Sequence, residues 1–216
     1  MDEKTKTELL DATKPLIDAD DWAKIESLWQ PHISGGDIDA LGELACVYAY
    51  NGFHEGPEKD REMQEMLQKA AANDHADATH CLAAFQPQSG QRDRLILKAA
   101  ELGCRAAQRD LGAYYATGDW TGPKDPALAV YWYNRAAERG EEDAQYNLGF
   151  MYILGQGTVQ DTAKGLSWLR TSAEQGHTGA MRLLADLYRN AYHGVPRNAE
   201  EADHWDRKAQ QAEALV

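Results

Sequence analysis

The sequence predicts an all-α protein: a right-handed superhelical solenoid of about five to six stacked helix hairpins, with no strand. Two recurring phrases and regularly placed glycines predict this class. The first phrase is Ala-x-x-x-Leu-small-x-x-aromatic, and its leucines at positions 44, 82, 111, 148 and 184 lie 38, 29, 37 and 36 residues apart. Such a period is typical of stacked supersecondary units, whose extended surface is suited to holding another protein.

Each repeating unit is predicted to contain two helices. The first helix is built on the Ala…Leu-small…Tyr phrase, as in Ala144, Leu148, Gly149 and Tyr152. The second is built on a tryptophan that has a small residue three positions before it and one or two small residues after it. Spacings of three and four place these residues on one helical face. The tryptophans that show the pattern are Trp132, Trp168 and Trp205.

Glycines and loops mark the ends of the predicted helices. Gly103, Gly140 and Gly176 follow second helices, where a left-handed cap favours glycine. Glycine-bearing loops that end on an N-cap residue join the two helices of most units, and Trp120 in one of them is a candidate for exposure. The unit at 78–103 is about eight residues shorter, because only residues 86–91 link its helices. We expect a tight turn through Pro87 and a change of curvature there.

The predicted boundaries of the segments follow from how closely each part of the chain matches the repeat pattern. Residues 1–36 are predicted to form a degenerate N-terminal hairpin, residues 37–103 divergent repeats and residues 104–216 regular repeats. Since a continuous repeat needs no linker, we expect one solenoid over 1–216.

The most complete copy runs from Ala144 to Gly176, with Gly165 in place of an alanine and Ser172 in place of the first alanine of a pair. It resembles the Sel-one-like repeat, a relative of the tetratricopeptide repeat with a longer loop between its helices. The resemblance implies a non-catalytic scaffold or adaptor that binds a partner protein in its concave groove. An alternative implied by the family is an immunity or inhibitor protein that neutralises a toxin.

The cysteines bear on a third alternative. One secreted branch of the resembled family has disulfides inside its repeats and is reported to bind or hydrolyse β-lactams. Such a disulfide framework needs two cysteines in each repeat. Here Cys46 and Cys81 fall in the first helices of successive units and Cys104 follows a glycine. The odd count and unequal placement favour reduced thiols, so the β-lactam hypothesis is disfavoured.

Composition restricts the partners. The net charge of −13 disfavours nucleic acid and anionic membrane, because phosphate binding depends on lysine and arginine. The charge is either a solvated acidic surface or a sign of a basic partner. There is no run of 18 apolar residues and no signal-like N-terminus, so we expect a cytoplasmic protein. The oligomeric state is left open.

Catalytic and metal-binding patterns are weak. The sequence contains no nucleophile elbow, phosphate loop or dinucleotide fingerprint. The densest cluster of metal-binding residue types is His75, His80 and Cys81, and no second cluster offers the further ligands that zinc requires. We therefore expect no catalytic residue, metal or cofactor.

A partner-binding groove is predicted on the first helices. If the repeated Leu and Tyr point into the stack, residues two before, two after and five or six after each Leu line the concave face. This gives an apolar, aromatic centre flanked by arginines, residue types that often dominate binding energy. A buried position for Phe150 and Ile153 is the alternative. The predicted site residues are Arg109, Tyr146, Phe150, Ile153, Arg182, Asp186 and Arg189.

Overall fold

A computed structural model describes residues 1–51, 56–86, 89–118 and 123–214. Over those ranges every regular element is a helix, which confirms the predicted all-α class. The α-helices are α1 Glu3–Asp18, α2 Trp22–Ser34, α3 Ile38–Asn51, α4 Pro57–Ala72, α5 Ala76–Ala84, α6 Ser89–Glu101, α7 Arg105–Thr117, α8 Pro126–Ala137, α9 Glu142–Leu154, α10 Thr162–Glu174, α11 Thr178–Asn190 and α12 Ala199–Glu213. A short 3-10 turn, Tyr192–Gly194, follows α11.

The helices pack as consecutive pairs in two compact units, Met1–Cys104 and Arg105–Val216. The first unit contains the pairs α1–α2, α3–α4 and α5–α6, and the second contains α7–α8, α9–α10 and α11–α12. The six pairs agree with the predicted number of hairpins. Trp120 and the predicted turn at Pro87 lie outside the described residues, so the change of curvature stays a prediction.

The N-terminal pair packs around a buried tryptophan. Ile25 and Trp29 of α2 are fully buried, and Leu9 of α1 belongs to the same apolar cluster. The indole N–H of Trp29 donates to the Thr13 hydroxyl oxygen at 2.9 Å, and that hydroxyl donates to the Leu9 carbonyl at 2.8 Å. Both buried polar groups therefore have hydrogen-bond partners, as buried polar groups in native proteins generally do.

The second unit follows the repeat pattern closely. Leu111, Leu148 and Leu184 are fully buried. Small residues allow the paired helices to touch: a Cβ atom on Gly165 of α10 would lie 2.7 Å from the carbonyl oxygen of Gly149 on α9. The Leu and Gly positions of the repeat therefore define its core, as the spacing predicts.

Side-chain caps fix where the second helices begin. The Asp125 carboxylate accepts hydrogen bonds from two backbone N–H groups of α8, Asp161 accepts from Lys164 N–H in α10, and Asn198 accepts from Glu201 N–H in α12. These residues close the loops in which the sequence predicts N-caps. The glycines after second helices, Gly103, Gly140 and Gly176, have positive φ values, as the left-handed cap requires.

Candidate partner-binding surface

All seven predicted site residues lie on first helices of the second unit. Arg109 is on α7, the apolar and aromatic residues are on α9, and Arg182, Asp186 and Arg189 are on α11. The structure distributes them over three separate surroundings and buries one of them.

Arg109 is held by carboxylates of its own chain. Its half-buried guanidinium donates hydrogen bonds to Asp110 at 2.8 Å and to Glu141 at 3.1 Å, and it reaches Asp143 at 3.5 Å. Burial alone would lower the pKa of Arg109, but Asp110 and the other carboxylates outweigh it and raise the pKa. Burial also raises the pKa of Glu141, and the Arg109 charge offsets only part of that rise. Arg109 therefore ties α7 to the start of α9.

Asp143 links Arg109 to Tyr146 through a histidine. The Nε2 atom of His177 lies 3.1 Å from a carboxylate oxygen of Asp143, and the Tyr146 ring stacks on the imidazole at a centroid distance of 4.8 Å. The Nδ1 atom of His177 accepts a hydrogen bond from the Ala180 N–H at 2.9 Å and caps α11. Since Nδ1 accepts, the ring proton is on Nε2 and is donated to Asp143. We call Arg109, Asp143, Tyr146 and His177 the Asp143 network.

Phe150 is exposed beside a small pocket. Phe150 has 38% of its surface exposed, on a helix that also carries the buried Leu148, Met151 and Ile153. The pocket has a volume of about 180 Å³, and both apolar and polar side chains line it. Its lining residues are Ala116, Lys124, Pro126, Tyr133, Asn147, Phe150, Met151 and Gln156. We call this the Phe150 pocket.

The prediction that Ile153 lines the groove is wrong. Only 1% of its surface is exposed, and it belongs to the core cluster shared by α10, α11 and α12. The physical reason is Gly165 on α10, where an added Cβ would come within 2.5 Å of Ile153 Cγ1. Because glycine has no side chain, space is left at Gly165, and the Ile153 side chain fills that space and packs against α10.

The charged residues of α11 pair with α12. The Arg182 guanidinium donates to Glu213 at 2.9 Å, and Arg189 donates to Asp206 and also to Asp186 at 3.2 Å. Arg182 is well exposed, with 63% of its side-chain surface accessible. A cleft of about 280 Å³ between the two helices is lined by Arg182, Asp186, Asp206, Ala209 and Gln210.

The histidine cap of α11 has a counterpart in the first unit. His75 caps α5 by accepting from the Ala78 N–H at 3.1 Å, and its Nε2 atom lies 3.5 Å from the buried Glu43 carboxylate. Lys6 also pairs with Glu43. Burial alone would raise the pKa of Glu43, but the His75 and Lys6 contacts outweigh it and lower the pKa.

Neither histidine is predicted from the sequence to meet a carboxylate, and these two contacts are seen only in the structure. A usable signal exists, because His75 and His177 each precede the repeat alanine by three positions, where an N-cap residue belongs.

The described part of the chain offers neither a metal-ligand cluster nor a membrane-spanning helix. Within those residues, no group of three or more His, Cys, Asp and Glu side chains is placed to hold a metal ion. None of the helices described is both long and apolar enough to cross a membrane.

Comparison with known families identifies the repeats. The Sel1 repeat matches three consecutive segments, residues 105–141, 142–177 and 178–209. An uncharacterized protein of Neisseria meningitidis is 30% identical in an alignment of 191 positions that covers 73% of this chain and 40% of that protein. The chain therefore spans less than half of this relative.

Solved structures share the fold. The crystal structure of a Sel1 repeat protein from Oxalobacter formigenes has a TM-score of 0.73 and 27% identity, and the match covers 88% of this chain and 79% of that one. The immunity protein Pa5087 from Pseudomonas aeruginosa has a TM-score of 0.63 over 99% of this chain and 84% of its own. At 18% identity, the second match is evidence for the fold alone.

Proposed function

This chain is a Sel1 repeat protein, and we propose from that premise that it is a non-catalytic scaffold or adaptor whose second unit binds a segment of a partner protein. Sel1 repeat proteins act as protein-interaction scaffolds and are generally regulators or adaptors rather than enzymes. We propose a cytoplasmic location, with neither nucleic acid nor membrane as the partner, since the net charge of −13 repels anionic surfaces.

The observation that carries the proposal is the exposed Phe150 beside its pocket. A large exposed aromatic side chain beside a pocket is costly to leave in water and is typical of a contact surface. Lys124, Asn147 and Gln156 add hydrogen-bonding groups to the lining, so the pocket offers a partner both apolar and polar contacts. An apolar side chain of the partner would bury against Phe150 and Met151.

The arginines divide into two roles in this proposal. Arg182 and Arg189 form exposed ion pairs, which contribute only about 0–1 kcal/mol each, so a partner carboxylate can replace Glu213 or Asp206 at little cost. Arg109 is half-buried and bound to three carboxylates, and removing it from them would leave buried charge uncompensated. We therefore assign Arg109 and Tyr146 to positioning α9 and α11, and Arg182, Asp186 and Arg189 to contact with the partner.

The test uses wild type and a Phe150→Ala/Arg182→Ala variant to capture binding proteins in the native cell. Mass spectrometry identifies the partner that wild type captures, and the affinity of both forms for that partner is then measured. Loss of a buried anchor of this kind costs about 2 kcal/mol or more, a roughly thirtyfold loss of affinity. Thermal stability should be almost unchanged, because both side chains are exposed.

A matched control is Tyr131→Ala, which removes an exposed aromatic residue from the second helix α8. This variant should capture the partner as wild type does. If the Phe150→Ala/Arg182→Ala variant also binds normally, the surface is misassigned.

A more specific alternative is an immunity protein that binds a toxin through the same surface. The fold likeness to the Pseudomonas immunity protein makes the architecture compatible with such a role. Co-expression with the toxin-like product of a neighbouring reading frame would decide it, since protection of growth is required of an immunity protein and not of an adaptor. Hydrolysis of a chromogenic β-lactam would instead favour the disfavoured enzymatic alternative.

A further inference from the structure

Two buried cysteines from different hairpins meet inside the first unit. Cys46 lies on α3 and Cys81 on α5, and both are buried, with 5% and 4% of their surfaces exposed. Their Sγ atoms are 3.0 Å apart, although the residues are 35 positions apart in the chain. Both are free thiols. The repeat explains the meeting, because the residue two after Leu44 and the residue before Leu82 face each other on neighbouring first helices.

The surroundings make the two sulfurs unequal. The hydrogen bond that Cys81 shares with Cys46, assisted by one with the Tyr50 hydroxyl, lowers the pKa of Cys81 despite its burial. The same contact with Cys81, together with burial, raises the pKa of Cys46 well above its usual value. The pKa of Cys81 is therefore the lower of the two, so in thiol–disulfide exchange we expect Cys81 to attack first and Cys46 to follow.

Tyr50 gives the pair a connection to solvent. Its ring is exposed, while its hydroxyl lies beside Cys81 and 3.3 Å from Nδ1 of His80. Tyr50 is therefore a contact of Cys81 whose own side chain reaches solvent, and we expect a small reagent to approach Cys81 from the Tyr50 side.

We propose that Cys46 and Cys81 form a reversible dithiol–disulfide site that is oxidised by exchange with a small-molecule disulfide. The site lies in the first unit and shares no residue with the partner surface proposed above. It also differs from a structural disulfide inside one repeat, because it would join the first helices of two successive hairpins.

The exchange proceeds in two balanced steps. The Cys81 thiolate attacks one sulfur of the small disulfide, a mixed disulfide forms on Cys81, and one small thiolate leaves and takes up a proton. Cys46 then loses its proton and attacks Sγ of Cys81, expelling the second small thiol. Two protein thiols are oxidised and one small disulfide is reduced to two thiols. The sulfurs must approach by about 1 Å to reach a bonding distance.

The test exposes the native full chain to oxidised glutathione, quenches it by alkylation and maps the disulfides by mass spectrometry. Wild type should lose two hydrogens, yield a Cys46–Cys81 cross-linked peptide and return to the starting mass with dithiothreitol. Because the cross-link closes a loop of this length, the oxidised form should also unfold at a temperature higher by on the order of 10 °C.

Variants separate the roles of the cysteines. Cys104→Ser should behave as wild type, since Cys104 takes no part. Cys46→Ser should accumulate a glutathione adduct on Cys81, because the resolving thiol is missing. If native wild type gives no Cys46–Cys81 peptide, or only adducts on Cys104, the inference is wrong. Circular dichroism checks the fold of each variant, and the wild-type peptide map decides the question even if Cys46→Ser does not fold.

Discussion

Replacing Gly165 by alanine should destabilise the second unit, although alanine is the residue that the repeat pattern favours there. A Cβ atom on Gly165 would lie 2.5 Å from Ile153 Cγ1 and 2.7 Å from the Gly149 carbonyl oxygen. Real Cβ atoms essentially never approach a neighbour below 3.0 Å. Because one of the two contacts is with backbone, a rotamer change cannot relieve it, and α9 and α10 must move apart.

The magnitude follows from two opposing effects. Alanine in a helix interior is favoured over glycine by about 0.5–1 kcal/mol. Overpacking a well-packed interior costs about 1–3 kcal/mol. Ile153 is fully enclosed and the Gly149 contact is rigid, so we expect the cost to exceed the gain and leave a net loss of about 1–2 kcal/mol. For a chain of this size that lowers the thermal midpoint by roughly 2–8 °C.

Thermal unfolding followed by circular dichroism measures the effect. The matched control is Gly90→Ala on α6, where an added Cβ meets no atom of the described residues within 4 Å. The control should be neutral or stabilising by up to about 1 kcal/mol. A Gly165→Ala midpoint at or above that of wild type would refute the packing argument and show that the two helices adjust without cost.

Three further predictions concern a histidine cap and two buried polar groups. His177→Ala should lower the unfolding free energy, measured by urea denaturation, by about 1–2 kcal/mol. His177→Asn should recover part of that loss, because asparagine keeps a cap acceptor, and equal losses in the two variants would contradict the capping role. Thr13→Val should cost about 1–3 kcal/mol because the buried Trp29 N–H loses its acceptor, and a neutral result would mean that another group accepts it. The folded-state pKa of Glu43 is below its ordinary value of 4.5, so its stabilisation is present above that pH and is lost as the pH falls through the folded pKa. Wild type should therefore lose more stability than Glu43→Gln between neutral pH and about pH 3, and parallel pH profiles would exclude this contribution.

The elements that the sequence predicts well are those that the repeat specifies by position alone. Leu111, Leu148 and Leu184 recur at one helical face, and each is fully buried. The loop aspartates recur before second helices, and they cap them. In these cases burial or capping depends on local spacing, which is visible in a single chain.

The candidate site is predicted less well because the orientation of each site residue depends on which residue of the neighbouring helix faces it. Asp143, the residue that reaches Arg109 at 3.5 Å, lies 34 positions later in the chain. The period shows that the two positions stack, but it does not reveal that a carboxylate is oriented towards a guanidinium. Ile153 fails for the same reason, since its direction depends on a missing side chain at Gly165 of the facing helix.

The internal pairing of the arginines also changes which contact must supply affinity in the proposed interface. A partner carboxylate that binds Arg182 replaces Glu213, so the number of ion pairs is unchanged and the net gain from charge is small. Burial of apolar surface at Phe150 breaks no ion pair among the described residues that line its pocket, so the gain from that burial is not offset in the same way. If the proposed interface is correct, the charged residues of α11 would contribute mainly to the choice and orientation of the partner, and the Phe150 pocket would provide most of the binding energy.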